Sequence, residues 1–293
     1  MQLVWLVTGA SRGFGLELVK RILARGDRVI ATARDISRLD PLLAQPDIDK
    51  TRIFVLELDV TWPSNVLQET AKKAIDHWGR VDVVVNNAAY AVSGPSEELG
   101  ADMFMEFMKT NFAGPINVNN AFLPHMRARR SGTLVVFGGF AVYKSEFMGI
   151  GAYSTTKAAV HAYGETLSAE LAQFNVRVLV VSPGTFDTSP RMTVHAPAHP
   201  IADYDAAREE LRKRLAMRPH IPNMGDPARG MDTLVDVVRG EGRAAEKGEG
   251  GKMPLWLFLG DDSIAAAKGR AEALRDVAEE WKEVGAGLGR DDA

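Results

Sequence analysis

Residues Leu3–Val7 form a short apolar run, and Thr8–Gly15 then carry the chain through glycines 9, 13 and 15 into a helical pattern bearing Leu16, Leu18, Val19, Ile22 and Leu23. A strand with no polar face, followed at once by a helix, is the unit of a parallel sheet covered on both sides. The unit recurs. Arg28–Ala33, Ile53–Leu58, Val81–Val85, Leu134–Phe137, Val176–Val181 and Leu255–Leu259 read as strands. Helices are expected over Ser64–Trp78, from Glu97 to about Arg130, and over Tyr153–Phe174, Ala228–Val238 and Ser263–Val284. This alternation predicts an α/β fold, a doubly wound parallel sheet flanked by helices on both faces. No repeat or linker divides the chain, so a single domain is expected.

After Pro183 the alternation stops. Residues 184–226 hold a loop with Pro190, Pro197 and Pro200, a charged helix over about Tyr204–Met217, and a second loop with Pro219 and Pro222. An insertion too polar for a core and too long for a connector predicts a flap over a site, at about 185–225. Asp226-Pro227 then reads as an N-cap with proline at the first helical position.

Composition narrows the function classes. The chain is 46% hydrophobic and 25% charged with formal net charge -3, which favours neither nucleic acid nor an anionic membrane. Zero cysteines exclude disulfides, thiolate metal sites and cysteine nucleophiles. The LVWLV run lacks a basic flank and a cleavage site, and no apolar run approaches the roughly 18 residues of a membrane span, so a cytoplasmic protein is expected. His195 and His199 have metal-like spacing, but Pro197 between them breaks the helix such ligands need, and no metal is expected. Arg127, Arg129 and Arg130 end a helix, where cations suit the dipole.

Two features carry chemistry. Glycines between a strand and a helix let backbone approach a pyrophosphate, whose charge the helix N-terminus favours. Tyr153 and Lys157 stand four residues apart on a predicted helix, so both leave the same face. A nearby ammonium favours a phenolate, which makes the pair an acid/base device. Taken alone, such a pair arises readily by chance.

Thr8-Gly-Ala-Ser-Arg-Gly-Phe-Gly15, Asn86-Asn-Ala-Ala89, Asn111, Tyr153-x-x-x-Lys157, and Pro183-Gly184 with Thr188 occur in the order and approximate spacing of the short-chain dehydrogenase/reductase family. Essentially the whole chain resembles that family, and its C-terminal third resembles fungal members. The resemblance implies a Rossmann fold and hydride transfer between a nicotinamide and a carbonyl or alcohol. It assigns Tyr153 as general acid/base, Lys157 as its helper and ribose ligand, and Asn111 as the residue whose carbonyl holds a relay water. Cofactor contacts are implied at Gly9, Ser11, Arg12, Gly13, Phe14, Gly15, Asp59, Val60, Asn87, Ala88, Pro183, Gly184 and Thr188, and relatives are mostly dimers or tetramers. In the family's register Ala33 takes the usual acidic position and Arg34 the phosphate-binding one, with Arg12 a second cation, so NADP (NADPH) is favoured over NAD despite Asp35. Pro115 cannot donate to the carbonyl of Asn111, which predicts a kink that frees this acceptor.

One position departs from the pattern. The family places a serine where this chain has Gly139, and glycine offers no side-chain donor. Four readings stay open: Ser145 or Tyr143 substitutes, the substrate supplies its own hydroxyl, the reaction is not hydride transfer, or the residue was introduced. The expected reaction interconverts a carbonyl and a secondary alcohol on a small apolar or polycyclic substrate, with a dehydratase, isomerase or cyclase as the alternative and a catalytically dead NADP-binding protein as a third class. Gly139, Phe140, Ser145, Phe147, Phe186 and Met192 are the candidate pocket residues.

Overall fold

The computed structural model describes residues 1–144, 146–188, 193–217, 220–247 and 252–289. Strands β1 (Val4–Val7), β2 (Arg28–Ala33), β3 (Ile53–Glu57), β4 (Val83–Asn86), β6 (Gly132–Phe137), β7 (Val176–Pro183) and β9 (Trp256–Leu259) form one seven-stranded sheet among the described residues. Its order is β3-β2-β1-β4-β6-β7-β9, and every pair is parallel. The chain runs outward from β1 to β3, then returns to place β4 on the other side of β1. That reversal opens a crevice beyond the carboxyl ends of β1 and β4.

Two apolar layers cover the sheet. Helices α1 (Gly13–Ala24) and α8 (Pro227–Arg239) bury Leu18, Ile22, Met231 and Leu234 on one face with Trp5 and Val7. Helices α3 (Ser64–Trp78), α5 (Gly114–Arg129) and α6 (Gly151–Leu171) bury Leu67, Phe122 and Leu167 on the other with Leu6 and Val84. Alternate residues of one strand therefore feed opposite cores, which is why the strands are apolar throughout. The Asp226 carboxylate accepts from Ala228 N at 2.8 Å, so the expected N-cap opens α8.

Several elements differ from the sequence expectation. A short α2 (Asp40–Leu43) follows a 3-10 turn over Ile36–Leu39. The long helix expected from Glu97 is α4 (Ser96–Met108), a π turn over Lys109–Ala113, and then α5. The interruption predicted at Pro115 thus takes the form of one widened turn just before it, a known use of such turns near functional sites. Beyond β9, α9 (Asp261–Glu280) and α10 (Lys282–Gly285) replace the single terminal helix.

The insertion is fastened at several points. Its β8 (Thr193–Val194) pairs with β5 (Val92–Ser93), and Phe186 bridges Gly225. Its helix α7 (Asp205–Met217) buries Leu211 and Arg208, the latter paired with Glu98 and Asp205. Leu211 packs where Gly149 lacks a side chain.

Candidate active site

The glycine turn leaves β1 at the crevice. Gly9 and Gly13 take φ of +65° and +55°, and a Cβ on Gly15 would lie 2.3 Å from the carbonyl oxygen of Gly9. Only glycine fits at that third position. Helix α1 starts with no side-chain cap and no acidic residue in its first turn, so its N-terminal N–H groups suit an anion. Ser11 is half-buried in this turn and Arg12 is exposed at its end. The Phe14 ring points inward, 5.1 Å from Phe186 and 5.8 Å from Phe137 between ring centres.

Asn86-Asn-Ala-Ala89 closes the turn from the β4 side. The N–H groups of Asn87 and Ala88 both donate to Thr8 Oγ1 at 3.0 Å. The Asn87 amide donates to the carbonyls of Thr8 and Gly9 at 2.9 and 3.1 Å. Arg34 stands exposed just past β2, and no carboxylate among the described residues pairs with it or with Arg12. Asp35 is committed elsewhere, accepting from Ser37 N and Oγ at 3.1 and 2.6 Å. Asp59 accepts from Thr61 N at 2.8 Å, and buried Val60 occupies the space that Gly114 leaves on α5. At the end of β7, the Asp262 carboxylate of α9 sits where a Gly184 side chain would be and accepts from Thr185 N at 2.7 Å. Pro183 is the last residue of β7, and Thr188 N donates to Phe186 O at 2.9 Å.

Tyr153 and Lys157 project from the first turns of α6 toward the end of β6. Lys157 is buried; its ammonium lies 5.7 Å from the centre of the Tyr153 ring and donates to Phe137 O at 2.6 Å. Burial pushes this ammonium down to about 8. The Asn111 side chain is a fastener. Its Oδ1 accepts from Tyr90 N at 3.1 Å, and its Nδ2 donates to Tyr90 O at 2.9 Å and to Thr156 Oγ1 at 3.3 Å, tying the strand-β4 loop to α6 beside the pair.

Gly139 borders this centre. A Cβ there would lie 3.5 Å from Tyr153 Oη and 3.8 Å from Lys157 Cγ. His161, one further turn along α6, accepts the Gly139 N–H on Nε2 at 3.2 Å. Its ring lies 5.6 Å from Tyr143 and 4.8 Å from Trp256. Burial, and then the Lys157 charge, push His161 down to about 4. Sequence reasoning missed it, although its spacing from Lys157 repeats that of Lys157 from Tyr153 and so puts it on the same face.

The candidate pocket residues divide. Phe140 and Phe147 meet edge-on at 6.3 Å, and Lys144 and Arg214 each lie over the Phe147 ring, at 5.9 and 5.5 Å. Phe186 is a correction: it is 5% exposed and forms part of the core under the glycine turn, against Phe14, Gly225 and Gly230, where an apolar ring gains most from burial. Ser145 and Met192 lie outside the described residues. Arg129 pairs with Asp82 at 2.8 Å, and Arg127 lies over Phe174. Among the described residues no group of three His, Asp or Glu is placed to hold a metal, and no helix is long and apolar enough to cross a membrane.

An all-parallel sheet with helices on both faces and a glycine turn at its switch point puts the molecule in the Rossmann-type α/β class. Residues 3–198 match the short chain dehydrogenase family. Oxidoreductase BOA17 of Botryotinia fuckeliana (strain B05.10) is 33% identical over 288 residues, which are 97% of this chain and 98% of that protein. A 3-ketodihydrosphingosine reductase of Bacteroides thetaiotaomicron is 35% identical over 186 residues, 62% of this chain and 64% of that one. The crystal structure of a short-chain dehydrogenase from Streptomyces avermitilis superposes with a TM-score of 0.81 at 33% identity, covering 98% of each chain. A short-chain dehydrogenase from Burkholderia cenocepacia J2315, in complex with NADP, shares the fold with a TM-score of 0.69 at 23% identity, covering 96% of this chain and 98% of that one. The chain belongs to the short chain dehydrogenase family of oxidoreductases.

Proposed function

We propose that the protein is an NADP(H)-dependent reductase that interconverts a carbonyl and a secondary alcohol on a small apolar or polycyclic substrate. The observation that carries this reading is the Tyr153 and Lys157 pair, held on one face of α6 with the buried ammonium 5.7 Å from the phenol ring, at the carboxyl edge of the sheet. The glycine turn fits a dinucleotide, because Gly15 leaves no Cβ in the cradle and the α1 terminus is uncapped. Gly9, Ser11, Arg12, Gly13, Phe14 and Gly15 would hold the pyrophosphate end; Asp59 and Val60 the adenine; Asn87 and Ala88 would lie along the cofactor; and Pro183, Gly184 and Thr188 would hold the nicotinamide end. Arg34 and Arg12, which no carboxylate among the described residues pairs with, favour a 2'-phosphate, and Asp35 is turned into its own helix cap.

When bound, the reduced nicotinamide supplies a hydride to the carbonyl carbon. The chain's own part is the proton. Tyr153 Oη donates it to the carbonyl oxygen, so that ketone, hydride and one proton give the alcohol. The Lys157 ammonium stabilises the phenolate left behind, and a solvent proton restores the phenol through a water at the Asn111 carbonyl. The insertion at about 185–225 would close over the substrate and exclude water.

Tyr153→Phe should abolish ketone-dependent NADPH oxidation while leaving NADPH binding, measured by fluorescence titration, nearly unchanged. Retained turnover would sink the assignment. A non-redox catalyst on the same scaffold is the second reading, favoured by the missing side-chain donor at Gly139. Substrate conversion without NADPH consumption would decide for it.

A further inference from the structure

We propose that the substrate carries the hydrogen-bond donor that position 139 lacks: it is a ketone with a hydroxyl on one of the next two carbons, lying over Gly139 and donating to its own carbonyl oxygen. This names the substrate class for the reductase site above and rests on that reading.

The two neighbouring glycines have different causes. At Gly138 a Cβ would lie 2.1 Å from His161 Nε2, so that residue must be glycine for the ring to sit where it does. At Gly139 the nearest atoms to a Cβ would be Tyr153 Oη at 3.5 Å, Lys157 Cγ at 3.8 Å and Tyr153 Cε1 at 4.0 Å, all ordinary contact distances. Its φ of 173° is extended backbone open to any residue. Neither packing nor backbone demands glycine here. A side chain would fit here in ordinary contact beside the phenol oxygen, and the chain has none.

Three donors near position 139 among the described residues are engaged. The Gly139 N–H is held by His161 Nε2 at 3.2 Å. Lys157 Nζ donates to Phe137 O at 2.6 Å, and Ser154 Oγ to Ala141 O at 3.4 Å. A carbonyl oxygen placed at Tyr153 Oη therefore receives no side-chain hydrogen bond from position 139. Losing one such donor typically costs about 10² to 10³ in rate. A hydroxyl on the α or β carbon reaches its own carbonyl oxygen and supplies that donor.

The test is steady-state NADPH oxidation with 2'-hydroxyacetophenone, its 2'-methoxy ether and unsubstituted acetophenone, for the wild-type protein and for Gly139→Ser. The ether matches the hydroxyl in position but cannot donate. Wild-type kcat/KM should favour the hydroxyketone over the ether by about tenfold or more, and Gly139→Ser should raise both non-donating ketones and shrink that ratio severalfold. Fluorescence titration of the same compounds against NADP-loaded Tyr153→Phe should show the same order of affinity. Reduction of the hydroxyketone and the ether at similar rates by the wild-type protein overturns the proposal and leaves the reductase reading standing. Turnover of none of the three by either protein sinks the reductase reading and this proposal with it. The wild-type ratio decides even if the serine variant does not fold.

Discussion

His161 accepts a hydrogen bond on Nε2, so its neutral ring carries the proton on Nδ1. Burial holds its folded pKa at about 4, below the ordinary 6.5, and an unfolded chain therefore takes up the proton first as pH falls. Stability from this group is complete above about 6.5 and is lost on acidification toward 4, on the order of 3 kcal/mol in all. Urea unfolding at pH 7 and pH 4.5 should show that loss in the wild-type protein, and His161→Gln should flatten it. Lys157 behaves differently. Its folded value of about 8 against an ordinary 10.5 means that the ammonium is lost above pH 8 in the free enzyme. Reductive kcat/KM should decline above that pH, and Lys157→Met should lose activity across the whole range. The Tyr153 and Lys157 pair was legible from spacing. The hold of His161 on Gly139 was not, because it joins a helix to a strand end 22 residues earlier and depends on a missing Cβ.

At the scale of elements, alternating apolar runs and glycine or N-cap signals were enough to place all seven strands of the main sheet and its covering helices. Their edges moved by a few residues. What the pattern did not carry was short or bent: β5 and β8 have two residues each and pair across about a hundred positions, too little for any periodicity to register. The clasp between α7 and the body is similarly nonlocal. Arg208 is buried on Glu98, whose Oε2 has no partner among the described residues, so removing the cation leaves a buried carboxylate with only the Ile201 N–H donating to it. Arg208→Met should increase hydrogen exchange across Asp205–Met217 and the β5–β8 pair while exchange in β1 and β4 is unchanged. In the same way, Gly15→Ala drives a Cβ into the Gly9 carbonyl and should weaken NADPH binding at least tenfold by fluorescence titration.

Across the whole molecule, the end of the sheet away from the crevice carries fastening with no chemistry. At the amino end, buried Asp27 accepts from Leu3 N and Trp5 Nε1, each at 2.9 Å, and from Arg239 of α8 at 2.7 and 2.8 Å. Removing one partner of such a pair costs about 3 to 5 kcal/mol. Asp27→Ala should therefore lower the Tm markedly while the kcat of the folded fraction at 25 °C stays near wild type.

Asp262 has a practical corollary for anyone tagging the protein. It lies on the first turn of α9 yet props the loop that follows β7, whereas the same helix is exposed from Lys268 onward. A reporter fused beyond Gly285 attaches to a stretch that is exposed in the single chain, and NADPH binding should be retained. A chain cut before Asp261 loses the prop under Gly184 and Thr185, and with it the shape of the pocket's far wall.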